Sequence, residues 1–212
     1  MNEILNYGLL VFTSFFTLVN PISVMPVFLG LTSELDDRKR VEVARRAVTC
    51  AFLLLLMFAF CGQFLFKFFQ ISVDSLRIVG GAIFLVVGFD MLNARLSPIK
   101  GTPEEINSAA RDIAITPLGI PMLCGPGSIT NAIVLMEDAH SWALKLTFVV
   151  SLLTMILITY VTLSFSSKIV RYLGETGINI MLRIMGLIVM VIAVEFFLGG
   201  LRPYIVGILA ER

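Results

Sequence analysis

Asn20-Pro21-Ile22-Ser23-Val24-Met25-Pro26 interrupts an apolar run, Ile4 to Leu31, that carries no charge. A second uncharged run, Ile113 to Met136, is interrupted by Pro117, Gly119, Pro121, Gly125, Pro126 and Gly127. In lipid a helix cannot simply lose backbone hydrogen bonds, because no water replaces them. Broken helices persist where protein encloses them or where they line a wet cavity. Two such breaks at corresponding places in two halves of a chain point to a buried binding site.

The rest of the chain fits a membrane setting. Of its 212 residues 58% are hydrophobic and 15% charged, with a mean hydropathy of +0.94. Soluble domains carry roughly 25% charged residues. The pattern predicts an all-α integral membrane protein with six spans, over about 4–31, 45–68, 73–93, 111–137, 143–167 and 179–201. Spans 1 and 4 are the discontinuous ones. A polar connection over about 94–110 holds Arg95, Lys100, Pro103, Glu104 and Glu105 and divides one membrane domain into a first half, about 1–93, and a second, about 111–212.

Six spans put both termini on one side. That side holds five basic residues: Lys67, Arg77, Lys145, Arg202 and Arg212. The other eleven, among them Arg38, Lys39, Arg40, Arg45, Arg46 and Arg111, lie opposite. Cytoplasmic loops collect Lys and Arg, so the termini are expected outside and the 94–110 linker in the cytoplasm. Met1-Asn2-Glu3-Ile4 lacks a basic leader, so the first run is expected to remain as a helix.

Several functions find no support. A net charge of +1 gives no nucleic-acid signature. Cys50 and Cys61 lie eleven positions apart, about 16 Å along one helix, too far to pair. With Cys124 in the second break and no Cys/His cluster, neither a disulfide framework nor a metal site is indicated. No cofactor is expected. His140 beside Trp142 reads as an interfacial histidine, and Gln63 as an interhelical hydrogen-bonding group. H-E-x-x-H, G-x-S-x-G and Walker A patterns are missing, which argues against an intramembrane enzyme and against ATP-driven transport by this chain alone.

The halves resemble each other. Leu76-Arg77-Ile78-Val79-Gly80 recurs as Leu182-Arg183-Ile184-Met185-Gly186, and Pro21-x4-Pro26 as Pro121-x4-Pro126, at offsets of 106 and 100 residues. Each half has three spans, so the halves must cross in opposite directions. That is the inverted repeat of many secondary transporters.

The breaks have a chemistry. Asn20-Pro21, Thr116-Pro117 and Gly125-Pro126-Gly127-Ser128 each read as a helix start, with a capping residue or glycine before a first-turn proline. A half-helix that starts near the bilayer middle aims free N–H groups and its positive dipole end at the centre, which suits an anion. Gly119, Gly125 and Gly127 leave room for a ligand near the backbone. Ser23, Ser128, Thr130 and Asn131 offer hydroxyl or amide hydrogen bonds. The expected ligand is small and zwitterionic or anionic. Kinked helices that only improve packing are the competing reading.

Charges also sit inside spans 3 and 6. Arg77 and Asp90 bracket twelve uncharged residues, Arg183 and Glu195 eleven. Twelve residues reach about 18 Å, less than the hydrocarbon core. The inverted repeat suggests cross-repeat pairs, Arg77–Glu195 and Arg183–Asp90, that close opposite sides of the site in turn, with Glu195 as the protonatable coupling group. Snorkelling to the headgroups is the alternative. Gly80, Gly81, Gly88 and Gly186 read as sites of close helix packing.

Asn20-Pro21-Ile22-Ser23-x-x-Pro26-Val27-Phe28 and Pro117-Leu118-Gly119-Ile120-Pro121 followed by Gly125-Pro126-Gly127-Ser128-Ile129 are similar to two signatures of the MarC family of bacterial inner-membrane proteins. Ile71 to Gly81, Gly177-Ile178-Asn179 and Arg183 to Leu187 match as well, so the resemblance runs over essentially the whole chain. It implies six spans in two inverted repeats and a place in the bacterial inner membrane. Some members resemble transporters of glycine, alanine and serine, and the family resembles amino-acid exporters of the LysE type. Ser128 departs from the Ala or Thr usual at that position, which changes one contact to substrate. The resulting expectation is a secondary transporter of small neutral amino acids, with a proton as candidate coupling ion. A sensor or scaffold without transport, a passive channel, and an exporter of another small organic anion are the alternatives; association into a homo-oligomer is left open.

Overall fold

The computed structural model describes residues 2–32, 35–70, 72–93 and 103–210; at 2, 73, 103–107, 167–175, 178–179, 181–182, 185, 208 and 210 it describes the backbone only. Arg95, Lys100 and most of the linker lie outside the described residues. Among the described residues seven helices run in chain order: α1 (Asn2–Val19), α2 (Pro21–Leu31), α3 (Asp37–Phe69), α4 (Val73–Leu92), α5 (Pro103–Ile113), α6 (Pro126–Asp138) and α7 (Trp142–Ala210). A distorted segment, Ala114–Leu123, joins α5 to α6. Among the described residues there is no strand.

Among the described residues five stretches are long and apolar enough to cross a membrane: Glu3–Leu31, Asp37–Phe69, Asp74–Leu92, Trp142–Ser166 and Gly186–Gly207. The pair Ser108–Leu123 and Pro126–Asp138, bent by 61°, makes a sixth if counted as one span. α3 starts at Asp37, earlier than the apolar pattern indicates. Asp36 caps it by accepting from the Lys39 N–H at 2.8 Å, so the charged first turns stay helical. Part of the supposed linker is also helical. The sequence puts Pro103, Glu104 and Glu105 at the start of α5 and Arg111 in its last turn, in register with the helix dipole.

α7 is helical over 69 residues, which a straight helix would stretch to about 100 Å. Yet Phe15 meets Phe148 edge-on at 5.8 Å, while Leu18, one turn further along α1, approaches Gly127 beside Phe196. The runs around 148 and 196 therefore lie side by side, and the chain reverses between them. The returning run packs antiparallel to α4 through small residues. A Cβ at Gly81 would fall 2.7 Å from the Ala193 carbonyl, one at Gly88 2.9 Å from that of Gly186, and one at Gly200 2.5 Å from that of Asp74. Close backbone approach is what such residues permit between membrane helices.

Phe15, Phe28, Leu55, Leu118, Phe148 and Leu152 are wholly buried, whereas Phe64, Phe68, Leu146 and Val191 are more than 60% exposed. An apolar belt of that kind belongs in lipid. Trp142 opens α7 largely exposed with the Lys145 ammonium 5.3 Å from its ring centre, an arrangement suited to the headgroup boundary. His140 is exposed nearby. Gln63 is exposed too and makes none of the interhelical hydrogen bonds among the described residues, contrary to expectation. Its place near the end of α3, one turn from Lys67, lets it reach toward the interface instead.

Candidate functional site

The first break is a single residue out of helical geometry within Glu3–Leu31, a stretch that qualifies as one candidate span. Asn20 adopts the left-handed conformation (φ 43°, ψ 73°), and its side chain accepts from the Ser23 N–H at 3.2 Å as the cap of α2. Pro21 is the first residue of α2, where a missing N–H costs nothing. The far end of α2 is held by buried Arg40. Its guanidinium donates to the carbonyls of Thr32 (3.3 and 3.1 Å) and Leu35 (3.1 Å) and pairs with Asp37 at 3.3 Å. A cation there complements the negative end of the helix.

The second break is built differently. Thr116 (φ −133°, ψ 121°) and Ile120 (φ −129°, ψ 123°) leave helical geometry inside Ala114–Leu123, and the bonds preceding Pro117 and Pro121 are cis. Thr116-Pro117 opens no lasting helix, because the chain leaves helical geometry again at Ile120, three residues after Pro117. The start falls at Gly125-Pro126. Gly125 precedes α6 with no side-chain cap, and a Cβ there would fall 2.7 Å from the Pro121 carbonyl oxygen. The first intrahelical bond runs from the Ile129 N–H to the Gly125 carbonyl at 2.9 Å. Gly127 and Ser128 therefore keep N–H groups without helical partners.

Both starts open on one cavity of about 260 Å³. Asn20 and Ser23 line it from one side, Gly125, Gly127 and Ser128 from the other. Phe84 of α4 and Phe196 of α7, stacked with centroids 5.9 Å apart, close part of the wall. No charged side chain lines it. Pro21 is buried beside the cavity without lining it.

Other expected residues fall elsewhere. Gly119 packs on α3, where a Cβ would meet Cys50 Sγ at 3.4 Å, and Thr116 is exposed, so neither joins the cavity. Thr130 and Asn131 line a neighbouring cavity of about 400 Å³ together with Arg77 and Glu195. The Thr130 hydroxyl donates to the Pro126 carbonyl at 2.9 Å. Asn131 Nδ2 is buried with no hydrogen-bond partner. The expected ion pairs are not formed: Arg77 pairs with Asp74 at 3.5 Å, and among the described residues neither Arg77–Glu195 nor Arg183–Asp90 makes contact. Arg183 and Glu195 are exposed and Asp90 half-buried.

The observed helix starts suggest a different alignment of the two sequence halves. Helix starts align Pro21 with Pro126 rather than with Pro121, so that Pro21-x-Ser23 answers Pro126-x-Ser128 at an offset of 105 residues. That nearly equals the 106 of the Leu-Arg-Ile match, and one insertion reconciles them. Both serines of this motif line the cavity. The spacing was readable in the sequence, but the Pro-x4-Pro pattern masked it. The aromatic wall had no sequence signal, since nothing distinguishes Phe84 or Phe196 from other apolar span residues until the helices pack.

A helical bundle sheathed in exposed apolar side chains, with a small cavity at two interior helix starts, is an integral membrane protein. A model described as the MarC family integral membrane protein matches residues 5–205, and the chain belongs to the MarC family. It is 38% identical over 200 residues to a UPF0056 membrane protein of Methanocaldococcus jannaschii, covering 93% of this chain and 97% of that one. A UPF0056 membrane protein of Pyrococcus horikoshii is 33% identical over 202 residues (95% and 98%), and YhcE of Escherichia coli 32% over 200 residues (93% of each). The relatives thus include archaeal as well as bacterial proteins. No solved structure gives a significant match.

Proposed function

We propose that this protein is a secondary transporter of small neutral amino acids of the glycine, alanine and serine class. The observation that carries the reading is the single cavity lined by both helix starts. The substrate carboxylate would sit at the start of α6, against the Gly127 and Ser128 N–H groups, with Ser23 and Ser128 as hydroxyl partners. At about 260 Å³ the cavity is below the size usual for drug-sized ligands, which favours a compact solute. The two breaks are read as discontinuous spans of an inverted repeat. The antiparallel packing of α4 on the returning run of α7, and the nearly equal offsets of the two sequence matches, support that. The charge asymmetry of the loops supports termini outside the cytoplasm in a prokaryotic plasma membrane. Glu195 is the candidate proton-coupling group.

One observation favours a second reading. No carboxylate lines the inner cavity to pair with an ammonium, so a small organic anion would suit the α6 start equally well.

Uptake of labelled glycine, alanine and serine into liposomes holding the purified full chain, with and without an imposed proton gradient, tests the proposal. Saturable uptake raised by the gradient is expected. Folded, inserted protein that takes up none of the three in either orientation would refute the substrate class and leave the small anion to be tried.

A further inference from the structure

The larger cavity lies on the side where α4 begins, α6 ends and α1 begins, the last two tied there by the Tyr7 hydroxyl donating to the Leu135 carbonyl. It shares Leu18, Gly127 and Phe196 with the inner cavity, so these three residues form the partition between two chambers. The chambers differ in character. The inner one has hydroxyls and free backbone N–H groups but no charge. The outer one has a guanidinium from α4 (Arg77), a carboxylate from α7 (Glu195) and an amide from α6 (Asn131).

Three features of the outer chamber stay unexplained by packing. Glu195 has no ion pair among the described residues, in a run that otherwise reads as a membrane span. Arg77 has only Asp74, at 3.5 Å with side chains 42% and 31% exposed, a contact of little strength. Asn131 Nδ2 is buried and unpartnered, a costly state for an amide donor unless something else accepts from it.

We propose that the outer cavity is a second binding station for a zwitterion, with Arg77 and Asn131 holding its carboxylate and Glu195 its ammonium, and with Leu18 and Phe196 separating it from the inner site. The station rests on the amino-acid reading above and supplies what the inner cavity lacks, a counter-charge for the ammonium. A solute with a carboxylate and no ammonium would gain nothing from Glu195, so the outer station selects amino acids from simple anions before they reach the inner one. Phe196 stacks on Phe84 in the inner wall, so a swing of this one ring would connect the chambers.

Equilibrium binding of labelled L-alanine to the full chain in lipid nanodiscs tests this. The wild type is expected to bind two alanines per chain. Arg77→Gln, at a partly exposed side chain, and Glu195→Gln, at an exposed one, should each weaken one of the two classes by about tenfold or more. Ser128→Leu, or Ser23→Leu at the half-buried equivalent, should remove the other class. Acetate is expected to compete at the inner class and not at the outer. A single alanine, lost in the serine variants and indifferent to Arg77→Gln and Glu195→Gln, overturns the station and leaves the inner site standing. A single alanine sensitive to all of these variants overturns the separation of the two stations. Folded wild type that binds no alanine, glycine or serine overturns the inner reading and the outer station with it.

Discussion

Asn20-Pro21-Ile22-Ser23 and Gly125-Pro126-Gly127-Ser128 begin helices at the same cavity by opposite means. α2 is held at both ends by side chains, Asn20 at its start and Arg40 beyond its end. α6 has no side-chain cap at its start; its position comes from Gly125 lying against the Pro121 carbonyl. The capped start has used an N–H on its own side chain. The uncapped start keeps two N–H groups and the full positive end of its dipole for something else. On the proposed reading the two starts divide the work, α2 as fixed wall and α6 as anion receptor.

The division can be broken first at Gly127. A Cβ there would lie 3.2 Å from Leu18 Cδ2 and 3.7 Å from Phe196 Cζ, both side-chain ends that can shift. Gly127→Leu is expected to fill the cavity and weaken alanine binding by roughly a hundredfold or more, about 3 kcal/mol, in protein that still elutes as a folded species. Gly125→Ala strikes the fold as well, because its neighbour is backbone. A loss of about 1–3 kcal/mol is expected in thermal unfolding. At the other start, Arg40→Met removes the charged donor to the Thr32 and Leu35 carbonyls and should cost about 1.5–3 kcal/mol of stability. Binding by the protein that remains folded should be retained, since Arg40 does not line the cavity.

Asn20→Gly sharpens the comparison with the smallest effect. Glycine accepts φ 43° freely and is a fair cap, so stability should change by only about a few tenths of a kcal/mol. The variant makes the first start an uncapped copy of the second. Asn20→Val, which loses the cap and strains the left-handed position, should cost about 1–2 kcal/mol more than glycine. Unfolding midpoints of the two variants side by side check whether cap and conformation matter as argued.

The all-helical membrane class, five of the spans and the helix starts after Asn20 and Gly125 were legible because proline, glycine and charge leave marks that survive without packing. Asn20 is an example: an Asn-Pro after a long apolar run reads as a capped start, and the cap is there. Thr116-Pro117 carries the same mark yet opens no lasting helix: three prolines and two glycines in ten residues offer several places to restart, helical geometry is lost again at Ile120, and the start that holds follows Gly125. The α5 helix was legible and overlooked: Ile106, Ala109, Ala110 and Ile113 follow the i, i+3, i+4, i+7 pattern of an amphipathic helix, among charges that made the stretch read as a connection. Ion pairs were the least legible. Span ends put Arg77 and Glu195 on the same side and the structure brings them to one cavity, but whether two charges touch depends on side-chain reach and on nearer partners such as Asp74.

The central claim is that the Gly127 and Ser128 N–H groups receive the substrate carboxylate. Amide NMR of the ¹⁵N-labelled protein in nanodiscs, titrated with L-alanine, tests it at those atoms. Saturable shifts at Gly127 and Ser128, larger than those at Ser23, are the expected result. Saturable alanine binding that leaves both amides unmoved would contradict it.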